Sequence, residues 1–351
     1  MSEQKQSVSV VVAAYNEESI IAENISRIVT VLEERSGVKW ELILIDDGSE
    51  DNTKQIIEEA SEVDSRIKFY CHWRNFGQGR ALRRGFDISN GEIVITLDAD
   101  LSYGPEYIWK LFDAINNKKV EIVIASAYAS GGMVSNVPFY RYFLSKWGNK
   151  YLSRMSHYDI STSTCVVRAF RREVLDSVCL TSDGMELQLE VLMKASMMGY
   201  KVAEIPAQLV WAVDKTKDSE FHRVSKMKIF RAIKLYLQLG WLSSPSYFFI
   251  VTAILLLLPG MYMMLNVVWR ISKAISRYLD LGEFISQAIS HGMQEVFTDY
   301  VYSFFISGTL IIVSLQLLVF ALLVMQNKFY YNELYKVAQQ TLNKRKKDNI
   351  A

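Results

Sequence analysis

Two aspartates separated by one residue follow a mainly apolar stretch in the first third of the chain. Asp98 and Asp100 come directly after residues 93–97, which have the composition of a buried strand. Turn-favouring residues often end a strand and do nothing else. Paired carboxylates at a strand end also suit a hard divalent cation, which binds one or two carboxylates together with substrate phosphates. The pair therefore indicates either a simple strand end or a site for Mg²⁺ or Mn²⁺.

Two further polar clusters follow apolar runs nearer the N-terminus. They are AAYNEE at residues 13–18 and DDGSEDNT at residues 46–53. Ligands of parallel α/β sheets bind beyond the carboxyl ends of the strands, so we expect the three clusters to meet at one edge. The sequence has no GxxxxGK[ST] phosphate loop, and GQGRALRRG at residues 77–85 lacks the GxGxxG spacing. A diphosphate would then need a divalent cation between it and the protein.

The elements that must position these clusters are visible as apolar runs that alternate with helical segments. Such a pattern is typical of an α/β domain with a mostly parallel sheet. The predicted strands are residues 7–15, 40–47, 67–71, 92–98 and 120–126, and the predicted helices are residues 17–35, 51–64, 78–90 and 105–118.

Composition limits the class of partner and the compartment. The chain has 351 residues, with 39 lysines and arginines against 38 aspartates and glutamates, and its net charge of +1 gives no electrostatic case for nucleic acid. Three cysteines without a CxxC pair fit a reducing compartment better than a disulfide framework. The first residues lack the layout of a signal peptide, so we expect them to stay in the cytoplasm.

Two uncharged stretches near the C-terminus are long enough to cross a bilayer. They predict transmembrane helices over residues 246–269 and 300–326, since a bilayer core needs about 20 apolar residues in a helix. The alternative is a pair of buried core helices, but core helices rarely stay uncharged over such a length. Pro259 is expected to kink the first span.

The positions of the cations predict how these spans are oriented. Five lysines and arginines lie within residues 223–234 before the first span and six follow the second, whereas residues 270–299 have three cations and four acidic residues. Positive-inside bias therefore places both chain ends in the cytoplasm. The predicted layout is a cytoplasmic domain (1–220), a juxtamembrane amphipathic helix (221–243), two spans joined by a short outer loop (270–299), and a basic tail (327–351).

The segments VVAAYNEE, LILIDDGSEDNT, RNFGQGRALRRGF and LDADLSYGPEYI occur in this order within residues 11–108. In them the sequence resembles glycosyltransferase family 2, whose members have the inverting GT-A fold. TCVVRAFRREVL at residues 164–175 and the two C-terminal spans make it similar to the polyprenyl-phosphate monosaccharide transferases of that family. The resemblance implies a GT-A nucleotide-sugar-binding domain, a divalent metal as cofactor, and a cell-membrane protein whose catalytic domain faces the cytoplasm.

The resemblance also implies roles for particular residues. Asp98 and Asp100 would bind the metal and Arg168 would face the reacting phosphates, the three together forming the catalytic group. The nucleotide would contact Ala14, Tyr15, Asn16, Glu17, Asp46, Asp47, Arg74, Asn75, Gln78 and Ala99.

Several of these positions also have plain structural interpretations. Residues 15–17 could instead form a helix entry with Asn16 as its cap, and Arg74 and Asn75 could be ordinary turn residues. Of the adjacent aspartates 46 and 47, we favour Asp47 as the contact to the base or ribose. Glu190 could lie on the floor of an active site or form a structural pair.

The acceptor phosphate is assigned to the segment EFHRVSK at residues 220–226. Ser225 and Lys226 match a phosphate motif of the family, and Arg223 stands where the family has glycine. The predicted reaction moves one sugar from a UDP- or GDP-linked donor to undecaprenyl or dolichyl phosphate. A processive polysaccharide synthase should have a QxxRW motif and more spans, and a non-enzymatic scaffold should have lost its carboxylates. The sequence leaves open whether the chain forms a homo-oligomer.

Overall fold

The structure is a computed structural model that describes residues 6–137, 139–153, 158–210 and 245–348. The chain divides into two units, one of residues Met1–Ser243 with Lys336–Ala351 and one of residues Ser244–Tyr335. The strands of the first unit are β1 (Ser7–Ala14), β2 (Lys39–Asp46), β3 (Ile67–Cys71), β4 (Ile93–Asp98), β5 (Ile122–Ser126), β6 (Met133–Ser135), β7 (Arg168–Arg171), β8 (Val202–Pro206) and β9 (Gln208–Val210). Its helices are α1 (Ile21–Glu33), α2 (Thr53–Val63), α3 (Gln78–Ile88), α4 (Tyr107–Asn117), α5 (Phe139–Ser153), α6 (Arg172–Ser177) and α7 (Leu187–Met198).

Seven of the strands form one sheet in the order β3-β2-β1-β4-β7-β5-β8. All its neighbouring strands are parallel except β7, which runs antiparallel to both β4 and β5. This confirms the predicted α/β class with a mostly parallel sheet, and the five predicted strands are present with ends shifted by no more than two residues. Strands β6 and β9 form a separate parallel pair.

The core lies on both faces of this sheet because its central strands are apolar at nearly every position. In β2 the residues Leu42, Ile43, Leu44 and Ile45 are all fully buried, although successive side chains point to opposite faces. On α1 the buried isoleucines and Leu32 recur every three or four residues and form one apolar face. Each such buried side chain stabilises the fold by about 1.5–3 kcal/mol, so the strand ends are held on a rigid base.

The second unit consists of long helices, α8 (Pro245–Asp280), α9 (Ile285–Asp299) and α10 (Val301–Asp348), the last of which extends beyond this unit. Among the described residues, α8 and the part of α10 up to Ala338 are long and apolar enough to cross a membrane, with mean hydropathy 2.3 and 2.5. Large apolar side chains on both are exposed, Leu255 and Leu322 among them. A core helix of a soluble protein would bury such side chains, so the membrane interpretation fits better.

The segment predicted as a loop between the spans is mostly helical. Helix α8 continues to Asp280, a turn at Gly282 with φ 88° follows, and α9 occupies most of the remainder. Arg277 of α8 forms an ion pair with Glu295 of α9 at 3.1 Å. The predicted juxtamembrane helix at 221–243 lies outside the described residues.

Candidate active site

Three strand ends bring the three polar clusters to one edge of the sheet. Strand β1 pairs with β2 on one side and β4 on the other, so that Ala14 is opposite Asp46 and Ala13 is opposite Asp98. The backbone N–H of Asp47 donates to the carbonyl of Ala14 at 2.9 Å. The expected meeting of the clusters is therefore present in the structure.

The first two clusters are tied together through Asn16. Its backbone is left-handed, with φ 55°, which asparagine tolerates better than most residues. Its N–H donates to Ser49 Oγ at 2.9 Å and its Oδ1 accepts from the N–H of Glu50 at 2.8 Å. The next N–H, of Glu17, donates to Thr53 Oγ1 at 2.8 Å. Asn16 thus connects two loops, and the interpretation of Asn16 as the cap of α1 was wrong because the cap position is Ile20.

Asp47 organises the loop that follows β3. One carboxylate oxygen lies 2.7 Å from His72 Nδ1 and accepts from the N–H of Phe76 at 3.1 Å, and the other accepts from the N–H of Gly77 at 2.8 Å. The residue is 3% exposed. Its side chain is therefore directed into the protein, and this placement does not fit the predicted contact of Asp47 with the base or ribose.

Asp46 is also buried, but its contacts are longer. Its carboxylate accepts from the N–H of Ser49 at 3.2 Å and from the thiol of Cys71 at 3.2 Å. Burial and the neighbouring Asp46 raise the pKa of Cys71 to about 11, so the thiol stays protonated and acts as a donor. Of the two aspartates, Asp46 has the fewer strong contacts within the protein.

Gly48 allows the two loops to approach each other closely. Its φ is +72°, and a Cβ at this position would lie 2.2 Å from the carbonyl carbon of Arg74. Only glycine fits here without moving the backbone. The close approach places Arg74 and Asn75, both exposed, beside the cluster at 46–53, with the Arg74 guanidinium 4.5 Å above the ring of Trp73.

Replacement of Asp47 by asparagine should loosen the loop at residues 72–77. The amide keeps the size of the carboxylate but loses charge-assisted hydrogen bonds, each contributing about 1.5–3 kcal/mol. We expect a lower Tm and faster tryptic cleavage after the exposed Arg74. The exposed Glu50 offers a matched control as Glu50→Gln. An unchanged cleavage rate in Asp47→Asn would show that Asp47 does not hold the loop.

Asp98 and Asp100 lie on a tight turn at the end of β4. Leu101 has φ 48° and donates its N–H to the carbonyl of Asp98 at 3.1 Å. The side-chain amide of Asn24 donates to the carbonyl of Ala99 at 2.8 Å and anchors the turn on α1. Ala99 itself is buried, so a nucleotide contact of this residue would come from its backbone. Asp100 is exposed and Asp98 is partly buried.

Burial and neighbouring carboxylates raise the pKa of two groups at this turn, Asp98 and Glu17. Burial and the neighbouring Asp100 raise the pKa of Asp98 to about 7. Burial and the charges of Asp100 and Asp51 raise the pKa of Glu17. Gln78 Nε2 lies 3.5 Å from Asp98 Oδ1, which is a weak hydrogen bond. The edge of the sheet is therefore a site of unbalanced negative charge.

This donor set fits a hard divalent cation held partly by a substrate. Within the described part of the chain, no group of three or more His, Cys, Asp or Glu side chains is placed to hold a metal ion. Asp98 and Asp100 would supply two oxygen ligands, and Mg²⁺ commonly takes one or two carboxylates together with phosphate oxygens. The prediction of the metal at this pair stays consistent with the geometry.

Arg168 does not face this edge in the way the sequence suggested. It is fully buried on β7, and its guanidinium donates to three backbone carbonyls, those of Cys165 at 2.7 Å, Gln188 at 2.8 Å and Ser163 at 2.6 Å. Burial lowers its pKa to about 10. All these contacts hold the backbone, so the structure makes Arg168 a structural residue, and we do not assign it to the catalytic group.

Two buried side chains beside Asp98 were not found from the sequence. Burial and the charge of Asp98 raise the pKa of Cys165 to about 12. The pKa of Tyr103 is raised by burial first and by Cys165 and Asp98 after it. Both side chains are buried close enough to Asp98 for its charge to affect them. Tyr103 lies between the DAD triplet and Pro105. This closeness in sequence could have indicated that its side chain lies near Asp98.

The sequence left open whether Glu190 lies on the floor of an active site or forms a structural pair. The structure shows the structural pair. It accepts from Lys194 Nζ at 2.5 Å and from the backbone N–H groups of Thr181 and Ser182. Burial alone would raise its pKa, but these hydrogen bonds outweigh that effect and lower the pKa to about 2. The predicted acceptor residues Arg223, Ser225 and Lys226 lie outside the described residues.

Comparison with known proteins identifies relatives of this architecture. The family model for glycosyl transferase family 2 matches residues 9–179. A dolichol-phosphate mannosyltransferase of Pyrococcus furiosus is 36% identical over 205 residues, which is 57% of this chain and 55% of the relative. An undecaprenyl-phosphate 4-deoxy-4-formamido-L-arabinose transferase of Aeromonas hydrophila is 35% identical over 174 residues, 49% of this chain and 51% of the relative. The chain thus spans about half the length of the curated relatives it matches.

A solved structure shows the same fold. It is glucosyl-3-phosphoglycerate synthase from Mycobacterium tuberculosis in complex with Mn²⁺, uridine diphosphate and glucosyl-3-phosphoglycerate. It aligns with a TM-score of 0.50 and 17% sequence identity over 67% of this chain and 79% of that one. The first unit therefore has a GT-A-like α/β fold.

Proposed function

Because residues 9–179 form a glycosyl transferase family 2 domain, we propose that the chain transfers one sugar from a nucleotide diphosphate sugar to a polyprenyl phosphate in a membrane. A phosphate oxygen of the acceptor would form a bond to the anomeric carbon while the bond from that carbon to the diphosphate breaks. The observation that carries the proposal is the placement of Asp98 and Asp100 beside the loops of residues 14–18 and 46–53.

The choice of acceptor is supported by two independent features. The names of the relatives from Pyrococcus furiosus and Aeromonas hydrophila give dolichol phosphate and undecaprenyl phosphate, which are both polyprenyl phosphates. Helices α8 and α10 would hold the chain in the bilayer in which such an acceptor is confined. Both the acceptor and the two apolar helices are consistent with a multi-pass membrane protein whose catalytic domain is cytoplasmic.

The first unit also has a surface suited to a bilayer. Phe139, Phe143 and Trp147 lie four residues apart on α5, and all three side chains are exposed. Lys146 and Lys150 lie on the same helix, each within 6 Å of an aromatic ring. Aromatic and basic side chains on one exposed helix are typical of attachment to the interface of an anionic membrane.

The donor would be held by loops that the structure brings together. Half-buried Glu17 and exposed Tyr15 at the end of β1 would contact the ribose and base, and the exposed Arg74 and Asn75 would contact the base or phosphates. Both adjacent aspartates are buried, and we prefer Asp46 because its contacts within the protein are longer. A Mg²⁺ or Mn²⁺ ion on Asp98 and Asp100 would neutralise negative charge on the leaving diphosphate.

The acceptor needs no general base. The second pKa of a phosphate monoester is about 6, so its oxygen is already anionic near neutral pH. Arg223, Ser225 and Lys226, assigned from the sequence alone, would hold this phosphate just before the first span. Positive charge there also fits a cytoplasmic position close to anionic lipid.

A transfer assay tests the proposal. Membranes with the full chain are incubated with radiolabelled UDP- and GDP-linked sugars, a polyprenyl phosphate and Mn²⁺, and the product is extracted into organic solvent. We expect a lipid-linked monosaccharide that depends on added acceptor. A water-soluble polymer would indicate a processive synthase, and the absence of product with every donor would support a scaffold.

Cysteine labelling in sealed cells tests the topology. Cys71, Cys165 and Cys179 are first replaced by alanine, and single cysteines are then placed at Ser2, Gln287 and Ala351. We expect an impermeant thiol reagent to label only the cysteine at position 287, because both chain ends are predicted to be cytoplasmic. Labelling at 351 without labelling at 2 would leave one span and contradict the hairpin.

A further inference from the structure

A cleft of about 660 Å³ runs along α3, and neither Asp98 nor Asp100 lines it. Three arginines of α3 line it, namely Arg80, Arg83 and Arg84. Tyr70 at the end of β3 and Trp73 in the following loop also line the cleft. The volume lies within the range of small-molecule sites, which is about 300–1,000 Å³.

Two of the three arginines have partners of different strength. The terminal nitrogens of Arg83 donate to the carbonyl of Leu180 at 2.9 Å and to Asp183 Oδ1 at 2.8 Å, although its buried Nε has no acceptor. Arg80 lies 3.9 Å from the other oxygen of Asp183 and stacks on the ring of Phe76 at 4.0 Å. At that separation Asp183 does not form a hydrogen bond with Arg80, and the Arg80 guanidinium can bind another anion.

Arg84 has no anionic partner within the described part of the chain. Its guanidinium stacks on Tyr70 at 4.2 Å. Its Nε is buried and has no hydrogen-bond acceptor. Among the described residues, Asp183 forms ion pairs with Arg80 and Arg83, and no carboxylate lies within 4.0 Å of the Arg84 nitrogens. A partly buried cation that lacks both a counter-ion and an acceptor is costly, since burial of such groups is normally compensated.

We propose that this cleft binds a small phosphate-bearing ligand, with the phosphate on Arg84 and Arg80. These two arginines are four residues apart on α3 and so lie on one face of the helix. Stacking on Tyr70 and Phe76 fixes their guanidinium planes, which favours bidentate bonds to phosphate oxygens. The inference does not rest on the proposed transferase activity.

The rest of the cleft indicates where the organic part of the ligand would lie. Phe86 on α3 and Leu175, Val178 and Leu180 form an apolar surface in the same cleft. A nucleoside and a prenyl chain both suit such a surface, and both occur as phosphate monoesters. The phosphate is therefore the shared recognition element, and the experiment must distinguish the two sources.

Calorimetric titration of the full chain in detergent tests the site. The probes are inorganic phosphate, uridine monophosphate and geranyl phosphate, each in EDTA so that divalent cations do not contribute. We expect saturable binding of at least one probe, weakened about tenfold or more by Arg84→Gln. Preference for uridine monophosphate would identify a nucleotide source, and preference for geranyl phosphate a lipid source. If Arg84→Gln fails to fold, Arg84→Lys, which keeps the charge but loses the planar fork, should weaken binding several-fold.

Two control variants test whether the measured binding belongs to this cleft. Lys39→Gln removes the same charge at the start of β2, away from the cleft, and should leave the affinity unchanged. The double variant Asp98→Asn with Asp100→Asn should also leave it unchanged. The proposal is overturned if no probe binds, if Arg84→Gln and Arg84→Lys bind like the native chain, or if the aspartate variant loses binding.

Discussion

Asp98→Asn or Asp100→Asn should reduce sugar transfer by about 100-fold or more, because each removes a charged oxygen from the pair that would hold the metal and the diphosphate. Replacement by asparagine keeps the shape of the turn and the backbone bonds of Leu101 and Ala99. The transfer assay with the native donor and acceptor gives the measurement. Asp113→Asn serves as a control, since it breaks only a surface pair with Arg35.

Although Asp98→Asn should lower transfer activity, it should raise the stability of the fold at high pH. The pKa of Asp98 is raised to about 7 in the folded protein, above its ordinary value. A raised carboxyl pKa contributes stability that is present at low pH and is lost as the pH rises through about 7. In EDTA at pH 8, Asp98→Asn should therefore have a higher Tm than the native chain, and the difference should disappear near pH 4.

Two results would contradict this account of the aspartate pair. Full transfer activity of the native chain in EDTA would show that no divalent metal is needed. A lower Tm of Asp98→Asn at pH 8 would show that the carboxylate stabilises the fold and that its environment is not one of excess negative charge. Addition of Mn²⁺ to the native chain should in turn raise the Tm most at high pH.

Arg168→Met should destabilise the first unit strongly, with a lower Tm and a loss of about 3 kcal/mol or more in the free energy of unfolding. The substitution leaves three buried carbonyls, those of Ser163, Cys165 and Gln188, without their donor. Each unsatisfied buried acceptor costs about 1–3 kcal/mol. Thermal unfolding in detergent gives the measurement, together with the yield of folded protein.

A neighbouring arginine provides a matched control for this prediction. Arg171 lies on the same strand and also donates to carbonyls, those of Val120 and Ile115, but both distances are 3.2 Å and the residue is only partly buried. Arg171→Met should therefore cost clearly less than Arg168→Met. If Arg168→Met kept a native Tm and lost only transfer, the catalytic role implied by the family resemblance would be restored.

The sheet could be predicted from the sequence where the strands are apolar throughout. Strands β1, β2 and β4 each contain a run rich in Val, Ile and Leu, so their positions and their common edge follow from composition. Strand β7 could not be predicted, because its four residues RAFR include two arginines. The burial of Arg168 depends on carbonyls from residues 163, 165 and 188, which periodicity does not reveal.

The candidate site shows the same limit at the level of single side chains. The position of the segment DDGSEDNT near the ligand could be predicted, because the segment follows a parallel strand. Both leading aspartates are buried, and which of them holds the loop after β3 depends on His72 and on the N–H groups of Phe76 and Gly77 in that loop. The roles of two adjacent aspartates cannot be distinguished from the sequence, because they depend on those long-range contacts.

The place of β7 in the sheet affects how the chain folds during its synthesis. Strand β7 lies between β4 and β5, and the partners of β5 are β7 and β8, which are both synthesised after it. Strands β3, β2, β1 and β4 can pair as soon as they are made, whereas the apolar β5 must wait for residues 168–171. Nascent chains that stop before this point expose one edge of β4 and both edges of β5, and they are prone to aggregate. Because β8 ends at Pro206, all seven strands are synthesised before the first apolar helix begins at Pro245.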